Sequence, residues 1–138
     1  MQVTPSIALK QATAAAWLAA LDSGAGQATI EVYTGTKPAG PDTAITSQVL
    51  LGTGTCSTTT GAVNTTGDVV TLVFNAITAD SSADATGTAT WARIKNDSGS
   101  AQIDVDVSNI GGGGVFQMNT TNVVIGGPLN FASLTFTF

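Results

Sequence analysis

Two periodicities divide the chain. Over residues 5–22, Ile7, Ala14, Trp17, Leu18 and Leu21 fall on one face of a helical repeat. The alanines between them (Ala12, Ala14, Ala15, Ala16, Ala19, Ala20) favour helix by intrinsic propensity. Thr4 is placed to cap this helix, with Pro5 at its first position and Gly24 where a glycine would end it. Asp22 near the C-terminal end opposes the helix dipole, a small penalty. The apolar stripe is narrow and alanine-rich, so the helix is expected to lie on a sheet or on a neighbouring molecule.

After Gly24 the period falls to two. Ala28, Ile30 and Val32 alternate with Thr29, Glu31 and Tyr33. Residues 35–42 are turn chemistry, residues 49–58 apolar and then Gly/Thr-rich, and residues 61–67 a loop. Residues 68–75 form a strong strand in which Val70, Leu72 and Phe74 alternate with Val69, Thr71 and Val73. Apolar side chains on both of its faces predict a central, doubly buried strand. Residues 79–86 are a polar loop, and residues 88–96 a strand carrying Trp91. A hairpin loop at 96–100 leads into residues 101–107, where Ile103, Val105 and Val107 face opposite Gln102, Asp104 and Asp106. Gly111-Gly112-Gly113-Gly114 reads as a flexible crossing between sheets. Short strands at 115–118 and 122–125, a turn at Gly126-Gly127-Pro128 and a final alternation of Leu134, Phe136 and Phe138 complete the pattern.

About eight short strands follow one helix. The expected architecture is all-β, a jelly-roll-like antiparallel β-sandwich over about 28–138 with an N-terminal α-helix at about 5–22, as one domain over 1–138. The 23 threonines suit half-exposed pleated surface.

Composition narrows the function. Charged residues make up 9% of the 138, against about 25% in an ordinary soluble domain. The fold of a chain this size exposes on the order of 6,600 Å², so charges stand roughly one per 500 Å². Such a surface is either covered by neutral polar groups or partly covered by partners. There is no histidine, which excludes Ser-His-Asp and Cys-His catalysis and histidine-based metal sites. Four cations against a net charge of −5 cannot build a phosphate-neutralising patch, so nucleic acid is not an expected partner. No apolar run approaches a membrane span, and no basic-then-apolar leader is evident, so neither membrane nor signal peptide is expected.

The remaining chemistry is sparse. Asp104 and Asp106 share a strand face, with Asp97 in the adjoining loop; such carboxylates hold Ca²⁺ or form a glycosidase pair, and a solvated strand face is the simpler alternative. Asp80 and Asp84 flank a loop in the same way. The four glycines lack the Lys-Ser/Thr and the helix of a phosphate loop. Cys56 has no partner thiol and no histidine base, so a small buried residue is its ordinary role. Asn64, Asn96 and Asn119 begin glycosylation tripeptides, which chance supplies in a chain so rich in Asn and Thr. Trp91 is expected in the core, whereas Trp17 sits on a helix with little other apolar surface. Arg93, the single arginine, is expected to make an inter-subunit salt bridge. No catalytic residue, metal or cofactor is expected, and the enzyme class is set aside.

Two segments resemble a known group. Ile30-Glu31-Val32-Tyr33-Thr34-Gly35-Thr36-Lys37-Pro38-Ala39-Gly40-Pro41 is similar to an I-x-V-Y-[ST]-G-x-x-P-A signature of small tailed-phage and prophage virion proteins, in which a Leu-Leu pair follows, as Leu50-Leu51 does here. Ala85-Thr86-Gly87-Thr88-Ala89-Thr90-Trp91-Ala92-Arg93-Ile94 resembles their A-[ST]-G-T-A-x-W-x-R-[IV] segment. Order and spacing match over about residues 28–110. The functional picture this resemblance implies is a capsid cement (decoration) protein, which clamps neighbouring capsomers of an HK97-type shell, as in a Bordetella podophage.

That picture sets the expectations. The partners would be the major capsid protein and further copies of the chain, as a dimer or trimer, on the outer surface of a capsid assembled in a bacterial cytoplasm. Contact is expected from Trp17, Leu18 and Leu21 on the helix, from Tyr33, Lys37 and Pro38, from Arg93, and from Phe136 and Phe138. Removing residues 1–22 is expected to leave the β-domain folded and to abolish shell binding. Two alternatives stand beside it: a tail or baseplate structural protein, and a carbohydrate-binding β-sandwich module with exposed aromatics on one face.

Overall fold

The alanine-rich run does form a helix, but from a different cap. A computed structural model describes residues 2–138, and in it α1 spans Ile7–Leu21. Ser6, not Thr4, is the N-cap: it is extended (φ −67°, ψ 159°), and its Oγ accepts the Leu9 N–H at 3.1 Å. Serine ranks above threonine at this position, which places Pro5 outside the helix. The helix ends at Asp22 rather than Gly24, where the Asp22 N–H donates to the Leu18 carbonyl at 3.0 Å. The Asp22 carboxylate then accepts the Thr60 N–H at 3.0 Å and the Thr60 hydroxyl. Thr60 is fully buried, so these two bonds offset the unfavourable placement at a helix C-terminus.

Ten short strands follow: β1 (Thr29–Thr34), β2 (Val49–Thr55), β3 (Gly61–Thr66), β4 (Val69–Phe74), β5 (Gly87–Thr88), β6 (Trp91–Lys95), β7 (Ala101–Asn109), β8 (Phe116–Met118), β9 (Asn122–Val123) and β10 (Thr135–Thr137). They make a five-stranded sheet in the order β2-β1-β6-β7-β8, a three-stranded sheet β10-β4-β3 and the pair β5-β9. The fold is mostly β with one short N-terminal helix, and one sheet is curled into a half-barrel. Pairing is antiparallel except between β7 and β8, which run parallel.

Each difference from the sequence pattern has a local cause. Residues 61–67 hold a strand, not a loop, because Gly61–Thr66 pairs along the whole of β4 and Gly67 (φ +59°) turns the hairpin. Its Asn and Thr side chains are exposed at a sheet edge, so no alternation betrays it. β4 is central, as expected, but only Val70, Leu72 and Phe74 are buried; Val69 is 49% exposed. The four glycines do not cross between sheets. They fold the chain back against β7, where a Cβ at Gly114 would stand 2.7 Å from the Ser108 nitrogen. The Ser108 hydroxyl accepts the Gly114 N–H, and the Gln117 side chain bonds Gly111 and Gly112.

The core lies between the two larger sheets. Ile30, Val32, Ala92, Ile94 and Val105 come from one, and Leu72, Phe74 and Phe136 from the other. α1 seats on this interior with Leu21 and Ala14 fully buried and Leu18 packed beside them. Polar ties fix its register: Lys10 Nζ donates to the Asp68 carbonyl and Gln11 Nε2 to Thr65 Oγ1, both at 2.9 Å. At the far end the β6–β7 hairpin meets it, with the Asp97 N–H donating to the Leu21 carbonyl at 3.2 Å.

Candidate functional site

The two ends of the chain meet in one place. Trp17 projects from α1 onto the last strand, edge-on to Phe136 (centroids 5.6 Å, 72°) and to Phe138 (5.0 Å, 85°). Phe136 is itself edge-on to Phe74 in the core at 5.5 Å. The indole is therefore rooted in the core yet 38% exposed, and among the described residues no other aromatic is so open.

An open groove runs on each side of Trp17. One, of about 410 Å³, lies between Ala16, Trp17 and Ala20 of α1 and the Gln102–Asp104 part of β7, with Pro41 at its rim. β8 pairs with β7 only from Val107 onward, so this part of β7 is a free sheet edge. The other groove, of about 440 Å³, is walled by Trp17, Val115 and the β10 residues through Phe138. β10 pairs only with β4, so it too presents a free edge. Alanines on the helix leave the first groove its width, and the glycine loop brings Val115, 51% exposed, to the second. Such a surface can bury apolar area and can accept an added strand; it holds no cluster of reactive groups.

The sequence expectations divide around this patch. Trp17, Phe136 and Phe138 are brought together. Leu18 lies beneath them, and Leu21, at 0% exposure, is part of the seat and not of the surface. Tyr33 and Arg93 belong elsewhere, on the outward face of the five-stranded sheet, and Lys37 and Pro38 lie in the loop beyond β1. Arg93 takes a partner in its own chain in place of another subunit: its Nε and Nη2 donate to Asp104 Oδ1 and Oδ2 at 2.8 Å each, with side-chain exposures of 5% and 2%. Lateral register opposite Asp104 places it there. The contact raises the guanidinium pKa, chiefly through the hydrogen bonds to Asp104 and against the effect of burial.

The same pair turns both Asp104 oxygens to the guanidinium, with the side chain 2% exposed, whereas Asp106 is exposed to solvent. Among the described residues no group of acidic, Cys or His side chains stands close enough to hold a metal ion. Asp80 is spent on backbone, accepting the Thr53 N–H at 2.9 Å and the Ser82 N–H at 3.0 Å. Tyr33 stacks on Trp91 at 4.6 Å, and its hydroxyl donates to Glu31 at 2.7 Å; burial and this carboxylate push its pKa well above the usual phenol value. Cys56 is buried, and burial, helped by Asp22, pushes its thiol up to about 12.

Three elements of the surface escaped sequence reasoning. Val115 had a signal, an apolar residue directly after a glycine run. Gln102 and Ile103 had none, because a strand's free edge is a property of its neighbours. Val124 and Ile125, 64% and 63% exposed beside the Gly126 turn (φ +77°), form a separate apolar tip. No helix among the described residues is long and apolar enough to cross a membrane. No family model, curated protein or solved structure matches the chain.

Proposed function

We propose that the chain is a virion structural protein of a tailed phage, and specifically a capsid cement protein that bridges capsomers on the outside of an icosahedral shell. The observation that carries this reading is the patch around Trp17, where helix and terminal strand present one apolar ridge between two open grooves. Two free sheet edges border it, and the chain as a whole is thinly charged. The likeness of the Ile30–Pro41 and Ala85–Ile94 stretches to small phage virion proteins supplies the biological setting. In this reading the two-sheet body is a jelly-roll-like sandwich, its partners are the major capsid protein and further copies of itself, and its place is the outer capsid surface. Nucleic acid and membrane are not partners, in keeping with four cations in the whole chain.

The mechanism is mass action. Contact surface that exists only between capsomers of the expanded shell stabilises that shell over its precursor. Hydrophobic burial at a rooted indole supplies affinity, because Trp17 is already held in one geometry by Phe136 and Phe138.

Decoration of expanded shells by purified variants tests it. Trp17→Gln should keep the wild-type far-ultraviolet circular dichroism and weaken shell binding by at least about tenfold, a hot-spot loss. Val124→Ser, which lines neither groove, should bind as wild type does. Equal binding by Trp17→Gln and wild type would remove the patch from the interface.

A further inference from the structure

Residues 35–48 leave β1 at Gly35 (φ +95°) and return to β2 at Val49 without forming helix or strand. None of them is buried. Yet this segment lies over side chains that are almost wholly hidden. On the outward face of β1 and β6, Tyr33 is 6% exposed, Trp91 0% and Arg93 4%. The guanidinium stands 5.5 Å from the centre of the Trp91 ring. An outward sheet face is normally wet; here bonds from Thr90 and from Arg93 on that face hold the segment 35–48 against it, and Pro41 reaches Asp104 of β7.

The cover is held at few points. Thr90 Oγ1 donates to the Gly35 carbonyl at 2.6 Å, at its root. Arg93 Nη1 donates to the Thr43 carbonyl and Nη2 to the Gly40 carbonyl, each at 3.1 Å, at its middle. The other bonds are internal: Thr43 N–H to Gly40, Thr46 N–H to Gln48 Oε1 and Gln48 Nε2 to Thr36. Among the described residues Arg93 is thus the one side chain outside the segment that bonds its middle. The Asp104 carboxylate holds the guanidinium in place from the opposite side.

A segment with no buried side chain and few outside ties belongs to the low-stability end of a fold. We propose that residues 35–48 are a latched strap: it opens as a unit while both sheets stay folded, Arg93 is its latch, and opening bares the stacked Tyr33–Trp91 pair. The Trp91 Nε1–H supports this, because it is buried with no hydrogen-bond partner. Opening hydrates that donor and so recovers part of what the opening costs. The two stretches singled out in the sequence are then halves of one device, Tyr33, Gly35 and Gly40 from the first and Thr90, Trp91 and Arg93 from the second.

Hydrogen exchange on the full chain, followed by mass spectrometry across sub-denaturing urea, tests the strap. In the wild type, the hydrogen-bonded Thr43 and Thr46 amides should exchange by an opening nearly independent of urea, while those of β4 and β6 follow global unfolding. Arg93→Lys keeps a charge for Asp104 but lacks the planar fork that reaches both carbonyls. It should speed exchange of the Thr43 and Thr46 amides by about tenfold or more while their urea slope stays near zero and that of β4 stays global. In a Trp17→Phe background, acrylamide quenching of Trp91 should rise with the same substitution. Wild-type strap amides that share the urea slope of β4 would overturn the proposal. So would unchanged rates for the Thr43 and Thr46 amides in Arg93→Lys.

Discussion

Cys56 and the Arg93–Asp104 pair carry the most distinct residue-scale consequences. The thiol titrates near 8.5 in an unfolded chain and at about 12 in the fold. Above about pH 9 the unfolded state therefore holds fewer protons than the folded one, and stability falls as pH rises toward 12. Urea titrations at pH 8 and at pH 10.5 should show that loss, and Cys56→Ala should reduce the difference between the two. At pH 8 the native thiol should resist a thiol-reactive dye that labels the urea-unfolded chain at once. The ion pair behaves differently. Asp104→Ala leaves a buried guanidinium unpaired and should cost about 3–5 kcal/mol, whereas Arg93→Met with Asp104→Leu should cost clearly less. A urea midpoint for each variant decides between them. The lone arginine was expected to pair across a subunit interface, and it pairs within its own chain. Asp104 looked like part of a carboxylate cluster, and only the β6–β7 register puts it opposite Arg93.

Among the elements, α1 changes most between sequence and structure. Its limits were legible within a residue or two, because alanine propensity and tandem cap residues are local signals. Its role was not. A narrow stripe pointed equally to a sheet or to another molecule, and the choice depends on Phe136 and Leu72, more than fifty residues away. Leu21 and Leu18 of the helix pack into the core, so removing residues 1–22 should disrupt the β-domain, against the sequence expectation. That truncation would uncover the interior face under Leu21 and strand the buried Thr60 N–H and hydroxyl. It should yield protein without a cooperative urea transition. Leu21→Ala alone should cost about 2–5 kcal/mol while keeping a single transition. The strands followed the same division. β1, β4 and β7 alternate and were visible, whereas β3 is an uncharged edge whose pairing alone defines it.

At the scale of the molecule, the chain's alternation was enough for a mostly-β body behind one helix, and strand order was beyond its reach. The parallel β7–β8 step rests on glycines pressed against Ser108, a contact no periodicity encodes. The Trp17 patch was half legible: Trp17 stood out on a helix with little other apolar surface, and Phe136 and Phe138 as an alternating chain end, but their convergence required the fold. The same convergence makes the cement reading specific enough to test on particles. On that reading, virions purified from the source of the chain and separated on a gradient into tailless heads and free tails should carry it on the heads in hundreds of copies, and chelation should not release it. Its confinement to tails in a few copies, or its absence from both fractions, would contradict the capsid role.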